Sequence, residues 1–270
     1  MLNFKKGGVF SRDSKAGPSS EESSGVQMLA VWGSPGSGKT TVAVKLAQHL
    51  AAKKKNVALV LCDMTTPMLP CICPPSDLDC QKSLGSILAA AHVTESLVQH
   101  NCVTHKRYGY LTVIGALKGE NEYTYPPYAE QQARELLDCL KGLAPYIIID
   151  CSSYIAYDIL SAVSLMEAEA VLRLVNCDLK SVSYLSSQLP LLKDNRWDAD
   201  KQYRVASDIK SNEASENIEQ VLGNVTFKLS HSAELEAQSL AGDLLRDLSL
   251  KDSRAFRSEL AKISREVFGI

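Results

Sequence analysis

The chain has 270 residues, a formal net charge of −2 and 45% hydrophobic residues. That composition suits one large domain with an ordinary core; it excludes a disulfide-stapled miniature and gives no strongly basic surface for nucleic acid. Eight cysteines occur without a signal-like apolar leader or an apolar run approaching membrane-span length, which implies a cytoplasmic protein with reduced thiols.

In chain order, residues 1–25 read as a disordered tail. Lys5, Lys6, Gly7 and Gly8 lead into a Ser-, Pro- and Glu-rich stretch that cannot bury apolar surface. The basic start could touch a membrane or a partner, or simply be an unstructured leader. Residues 26–250 read as a single domain and residues 251–270 as a C-terminal amphipathic helix.

The domain opens with an apolar strand, Met28 to Trp32, followed by Gly33-Ser34-Pro35-Gly36-Ser37-Gly38-Lys39-Thr40-Thr41 and an Ala-rich helix. Gly33, Gly38, Lys39 and Thr40 fit the phosphate-binding pattern G-x-x-x-x-G-K-[ST]. Glycines let backbone N–H groups turn inward around phosphate oxygens, and the helix start adds unpaired N–H groups and partial positive charge. Lys39 would reach the β- and γ-phosphates and the Thr40 hydroxyl would ligate Mg²⁺. The expected ligand is a nucleoside triphosphate.

Asn56 to Cys62 is a buried-type strand running to Asp63. Asp63 is a candidate for the metal's water shell or the attacking water, and equally for a turn cap. The Pro-rich segment Thr65 to Pro75 carries Cys71 and Cys73, with Cys80 beyond; the spacing matches no common zinc knuckle, and the position suits a switch segment. Two helical pieces fall between Leu78 and Gln99, a strand at Tyr110–Gly115, and a helix at Pro127–Leu143. Tyr146-Ile147-Ile148-Ile149-Asp150 has the form of a buried strand delivering a carboxylate, Asp150, toward Mg²⁺. Ser152 and Ser153 could bond the γ-phosphate or cap a helix. Further strands follow at Ala170–Val175, Tyr203–Ala206 and Val225–Leu229, with Asp178 as an N-cap and a helix ending near Gly223. Strand–helix alternation predicts an α/β three-layer P-loop fold, a mainly parallel sheet with helices on both faces.

The order of phosphate loop, Asp63 strand, Asp150 strand and Leu174-Val175-Asn176-Cys177-Asp178-Leu179-Lys180-Ser181 resembles the MinD/ParA P-loop ATPases. The last segment, with Phe227-Lys228-Leu229-Ser230-His231-Ser232 before a helix reaching Gly242, is most similar to the CpaE/TadZ branch, which acts in Flp pilus assembly. The resemblance spans roughly Gln27 to Leu245. It implies an ATP- and Mg²⁺-binding, nucleotide-dependent homodimer that slowly hydrolyses ATP. It also implies a pilus or secretion ATPase or a membrane protein as partner, and a place in the cytoplasm or at the inner face of the membrane; Glu259 and Glu266 in the C-terminal helix point to weak or no direct membrane binding. Two positions depart from the family pattern. The lysine that reaches across the family's dimer is Ser34 here, and its switch aspartate is Thr65. Both losses should slow hydrolysis while leaving binding by Gly38, Lys39 and Thr40 intact. A non-hydrolysing scaffold of the same fold, or another P-loop enzyme such as a kinase or a cluster-assembly factor, are the alternatives. At the C-terminus, Phe256, Leu260, Ile263 and Val267 form a helical stripe that either packs on the domain or docks on a membrane.

Overall fold

Side chains alternate faces along a strand, so each strand of a sheet covered on both sides must be apolar throughout. The strand β1 (Met28–Gly33) obeys this: all six residues are buried. Leu29 and Val31 face one core, Met28, Ala30 and Trp32 the other. The computed structural model describes residues 28–74, 76, 82–105, 108–188, 190–191, 197–210, 219 and 223–270. The expected N-terminal tail, Cys80 and most of the expected helix before Gly223 lie outside them.

Around β1 stand β2 (Val57–Leu61), β3 (Val103–Thr104), β4 (Leu111–Gly115), β5 (Tyr146–Asp150), β6 (Ala170–Asn176), β7 (Gln202–Ile209) and β8 (Phe227–Ser230). They form one sheet in the order β3-β4-β2-β5-β1-β6-β7-β8. Every described pairing is parallel except β3 with β4. The antiparallel edge was not expected, because two residues carry no readable period. β1 lies between β5 and β6, so the chain leaves it in one direction for β2 and later returns across it to β6. The loops at the carboxyl ends of β1 and β5 thereby flank one crevice, where ligands bind in open α/β sheets.

One face carries α1 (Lys39–Ala52), α2 (Leu69–Ile72), α8 (Ala233–Leu240) and α9 (Arg254–Phe268). The other carries α3 (Leu84–Leu88), α4 (Glu95–Asn101), α5 (Glu130–Leu143), α6 (Ile159–Glu167) and α7 (Leu179–Gln188). Side chains start many of these helices: Ser83, Thr94, Asp158, Asp178 and Ser232 each accept a first-turn N–H. The two pieces expected between Leu78 and Gln99 are present as α3 and α4. The C-terminal stripe is settled by packing, with Phe256, Leu260, Ile263 and Val267 buried in the core shared with α1 and β8. Among the described residues no helix is long and apolar enough to cross a membrane.

A polar knot ties α1 to the far end of the chain. The Lys45 ammonium, 2% exposed, donates to Gln238 Oε1 at 2.7 Å, to the Arg246 carbonyl at 2.5 Å and to Gln48 Oε1 at 3.3 Å. Gln48 Nε2 donates in turn to Tyr108 Oη, Leu245 O and Asp247 Oδ1. Burial pulls the Lys45 pKa down to about 8, against the opposing pull of Asp247, Glu234 and Asp243. An ammonium with three donors and three acceptors is fully satisfied, which is the condition for burying it.

Candidate functional site

The loop from Gly33 to Thr41 turns on two different properties of glycine. Gly33 ends β1 hard against β6: a Cβ built there would lie 2.0 Å from the Leu174 carbonyl oxygen. Ser34 N–H donates to that same carbonyl at 3.2 Å. Gly36 and Gly38 have φ of 77° and 78°, the left-handed region that side chains disfavour. Gly38 thus turns the chain directly into α1, whose first turn has no acidic side chain and no side-chain cap. Its N–H groups are left facing the crevice, an arrangement suited to anions.

Three side chains meet at this point. Thr40 Oγ1 donates to Asp150 Oδ2 at 2.6 Å, joining the start of α1 to the end of β5. Asp150 Oδ1 is buried and has no hydrogen-bond partner. Lys39 Nζ donates to Ser153 Oγ at 2.6 Å and to the Ser34 carbonyl at 3.3 Å. Burial raises the Asp150 pKa to about 7, with the Thr40 hydroxyl and the Lys39 charge pulling the other way. Burial likewise lowers the Lys39 pKa, opposed by Asp150 and Asp63. Tyr184 Oη donates to the Ser153 carbonyl and holds that turn from α7.

A cavity of about 800 Å³ opens over the loop, lined by Pro35, Gly36, Gly38, Lys39, Thr40 and Thr41, and by Asp63 and Asp150. Gly33, Ser34 and Ser37 lie beneath it, buried. The sequence-predicted residues therefore assemble in one place, in two tiers. Asp63 sits at the rim with Oδ1 accepting the Thr66 N–H at 2.8 Å, so it caps a turn and walls the cavity together. Ser34 hydrogen-bonds Ser181 Oγ in the first turn of α7 at 3.0 Å and is fully buried. Thr65 is exposed and does not line this cavity. Of the two serines after β5, Ser153 meets Lys39, while Ser152 accepts the Tyr154 N–H within its own turn.

Sequence reading assigned no role to the far wall. Asp208 Oδ1 lies 2.7 Å from His231 Nδ1 where β7 and β8 lose register, with Asp208 itself at φ 54°. Asn176 Nδ2 donates to the Gly36 carbonyl at 3.0 Å and steadies the loop from β6. Asn176 and His231 fall in the two segments that carry the family resemblance, whereas Asp208 had no signal beyond following a predicted strand. Among the described residues no three His, Cys, Asp or Glu side chains cluster to hold a metal by themselves.

The chain matches the CobQ/CobB/MinD/ParA nucleotide binding domain family over residues 29–243. None of the curated proteins matches its sequence. Solved structures similar to it include a ParA family ATPase from Chlorobium tepidum TLS, at 15% identity and a TM-score of 0.73, covering 90% of this chain and 98% of that one. The septum site-determining protein MinD of Pyrococcus horikoshii OT3, solved with Mg-ADP, has 16% identity and a TM-score of 0.70, covering 89% and 96%. The cell division ATPase MinD of Pyrococcus furiosus has 17% identity and a TM-score of 0.68, covering 89% and 99%. At these identities the likeness shows a shared fold.

Proposed function

The chain belongs to the CobQ/CobB/MinD/ParA family of nucleotide-binding domains, and from that premise we propose that it is an ATP-binding switch of the MinD/ParA kind with slow hydrolysis. The observation that carries this reading is the Thr40–Asp150 contact with its orphaned Asp150 Oδ1 beside Lys39. A hydroxyl next to a carboxylate oxygen that lacks a partner is a hard-oxygen donor set and fits Mg²⁺. Bound there with ATP, Mg²⁺ would neutralise charge on the phosphate oxygens. The chain's own part is positional. N–H groups from Gly36 to Thr41 receive the phosphates, Lys39 exchanges its Ser153 and Ser34 contacts for them, and Asp63 stands at the rim where water enters. The Mg-ADP complex of the Pyrococcus horikoshii relative supports an adenine nucleotide.

Slow turnover follows from Ser34 and Thr65. A buried serine tied to Ser181 cannot supply charge to a second copy, and an exposed threonine outside the cavity cannot orient water as a carboxylate does. The same two positions favour the second reading, a nucleotide-binding scaffold with little or no hydrolysis. We place the working form as a nucleotide-dependent homodimer. In support, Tyr154, Tyr157 and Leu179, 61%, 91% and 87% exposed, follow β5 and β6 at the carboxyl ends of the central strands, where the loop lies. The segments Leu174–Ser181 and Phe227–Ser232 support the CpaE/TadZ branch and a role in positioning a pilus or secretion machine. With the α9 stripe buried, attachment to the membrane's inner face would run through a protein partner.

The test is phosphate release by purified protein with and without Mg²⁺, beside light scattering with ATP and with ADP. Slow Mg²⁺-dependent release and an ATP-specific dimer are expected. ATP binding without release selects the scaffold, and absence of ATP binding removes both readings.

A further inference from the structure

Behind Asp63 and Tyr154 lies a second cavity, of about 230 Å³, that the nucleotide reading does not use. It is formed by the turn after β2, the segment before α5 and the loop between β5 and α6. Tyr125, Tyr128, Tyr154 and Tyr157 contribute rings and Ile159 aliphatic surface. Its charged lining is Asp63, Glu122 and Asp158, with no Lys, Arg or His among the described lining residues. Asp158 is occupied, accepting from Ser161 N, Ser161 Oγ and Tyr128 Oη. Glu122 is exposed and Asp63 half-buried, so both can meet a cation from outside. Tyr157, about nine-tenths exposed, carries the aromatic surface out to solvent. Acids among tyrosine faces suit Lys and Arg side chains, and a mouth with exposed aromatic surface suits a polypeptide.

The sequence holds a segment of that chemistry. Phe4-Lys5-Lys6-Gly7-Gly8-Val9-Phe10-Ser11-Arg12 has two aromatic rings, three cations and no acid, with two glycines to let it turn. It is also within reach. Residues 13–27 extend to about 50 Å, whereas β1 climbs only about 20 Å to the carboxyl ends of the strands, where the cavity lies.

We propose that Phe4–Arg12 docks in this cavity of its own chain, its cations against Asp63, Glu122 and the tyrosine faces and its phenylalanines against Ile159 and the rim. Asp63 and Tyr154 border both cavities, so the docked segment shares a wall with the phosphate end of the nucleotide site. The docking requires no nucleotide, and its failure would leave the ATP reading standing.

The experiment is hydrogen exchange on the full-length, nucleotide-free chain, comparing wild type with Lys5→Glu/Lys6→Glu/Arg12→Glu and with Phe4→Ala/Phe10→Ala. Amides of Met64–Thr65 and Tyr154–Tyr157 should exchange about fivefold or more faster in both variants. Glu122→Lys, at an exposed position, should give the same loss. Unchanged exchange in the tail variants overturns the proposal. So does protection that grows with protein concentration, which assigns the cavity to a second copy. Protection that appears only with vesicles of anionic lipid assigns the segment to a membrane and overturns it equally.

Discussion

Helix α1 carries two lysines withdrawn from water, Lys39 and Lys45, and they are held in opposite ways. Lys45 is saturated, its three donors matched by acceptors drawn from α1, α8 and the segment before α9. Lys39 leans on one serine hydroxyl and one carbonyl, with a large cavity on its open side. Desolvation lowers the pKa of both. The difference is whether the fold has already supplied what the charge needs. A cation that the chain completes is structural, and one left incomplete beside a cavity marks a candidate ligand site.

The sharpest way to break this contrast is Lys39→Ala. It should weaken ATP binding about 1,000-fold, roughly 4 kcal/mol, while thermal stability stays level or rises because a partly desolvated charge is gone. Isothermal titration beside a melting curve checks both halves, and wild-type ATP affinity would undo the site assignment. Lys45→Met should do the reverse. Leaving Gln238 Oε1 and the Arg246 carbonyl without their donor should cost about 3 kcal/mol of stability, with ATP affinity within about threefold of wild type. A loss of ATP binding at retained fold would erase the distinction.

The pH dependence sharpens it further. In the folded chain burial pulls the Lys45 pKa down to about 8, against 10.5 for a free lysine. Between those values the unfolded chain holds the extra proton, so stability rises with pH. The cost of burying the charge is fully present below about 8 and is relieved as pH approaches the unfolded value. Denaturant unfolding should therefore show the stability of wild type relative to Lys45→Met rising by about 2 kcal/mol between roughly pH 7 and pH 9.5. A constant gap would mean Lys45 is not desolvated as described. The smallest expected effect is Asp150→Asn, which should weaken ATP binding about tenfold with Mg²⁺ and hardly at all in EDTA. Equal losses in both buffers would make Asp150 a structural acid.

The phosphate loop was legible because its chemistry demands consecutive residues. Gly36, Gly38, Lys39 and Thr40 must be neighbours for one turn and one helix start to present N–H groups together. Asp150 was legible for a related reason, as a carboxylate at the end of an uninterrupted apolar strand. The Lys45 knot was not, since Gln238 and Arg246 lie 193 and 201 residues away and no local pattern announces them. Asp63 read equally well as a cap and as a site residue, and it is placed to be both, because a turn cap at a strand end also faces the crevice. The α9 stripe had one periodicity and two uses. Deciding between them took the apolar surface of α1 and β8, which a sequence does not draw.

The glycines of the loop differ in a way that stereochemistry can expose. At Gly36 the backbone sits at φ 77° and no neighbour lies within 4 Å of an added Cβ. That conformation is the mirror image of one L-residues favour, so an L-alanine at position 36 would be strained by its own backbone and not by any neighbour. Gly33 refuses L-alanine for an unrelated reason, since its methyl would occupy the Leu174 carbonyl and wedge β1 from β6. One glycine is thus required by the handedness of its backbone and the other by the spacing between two strands.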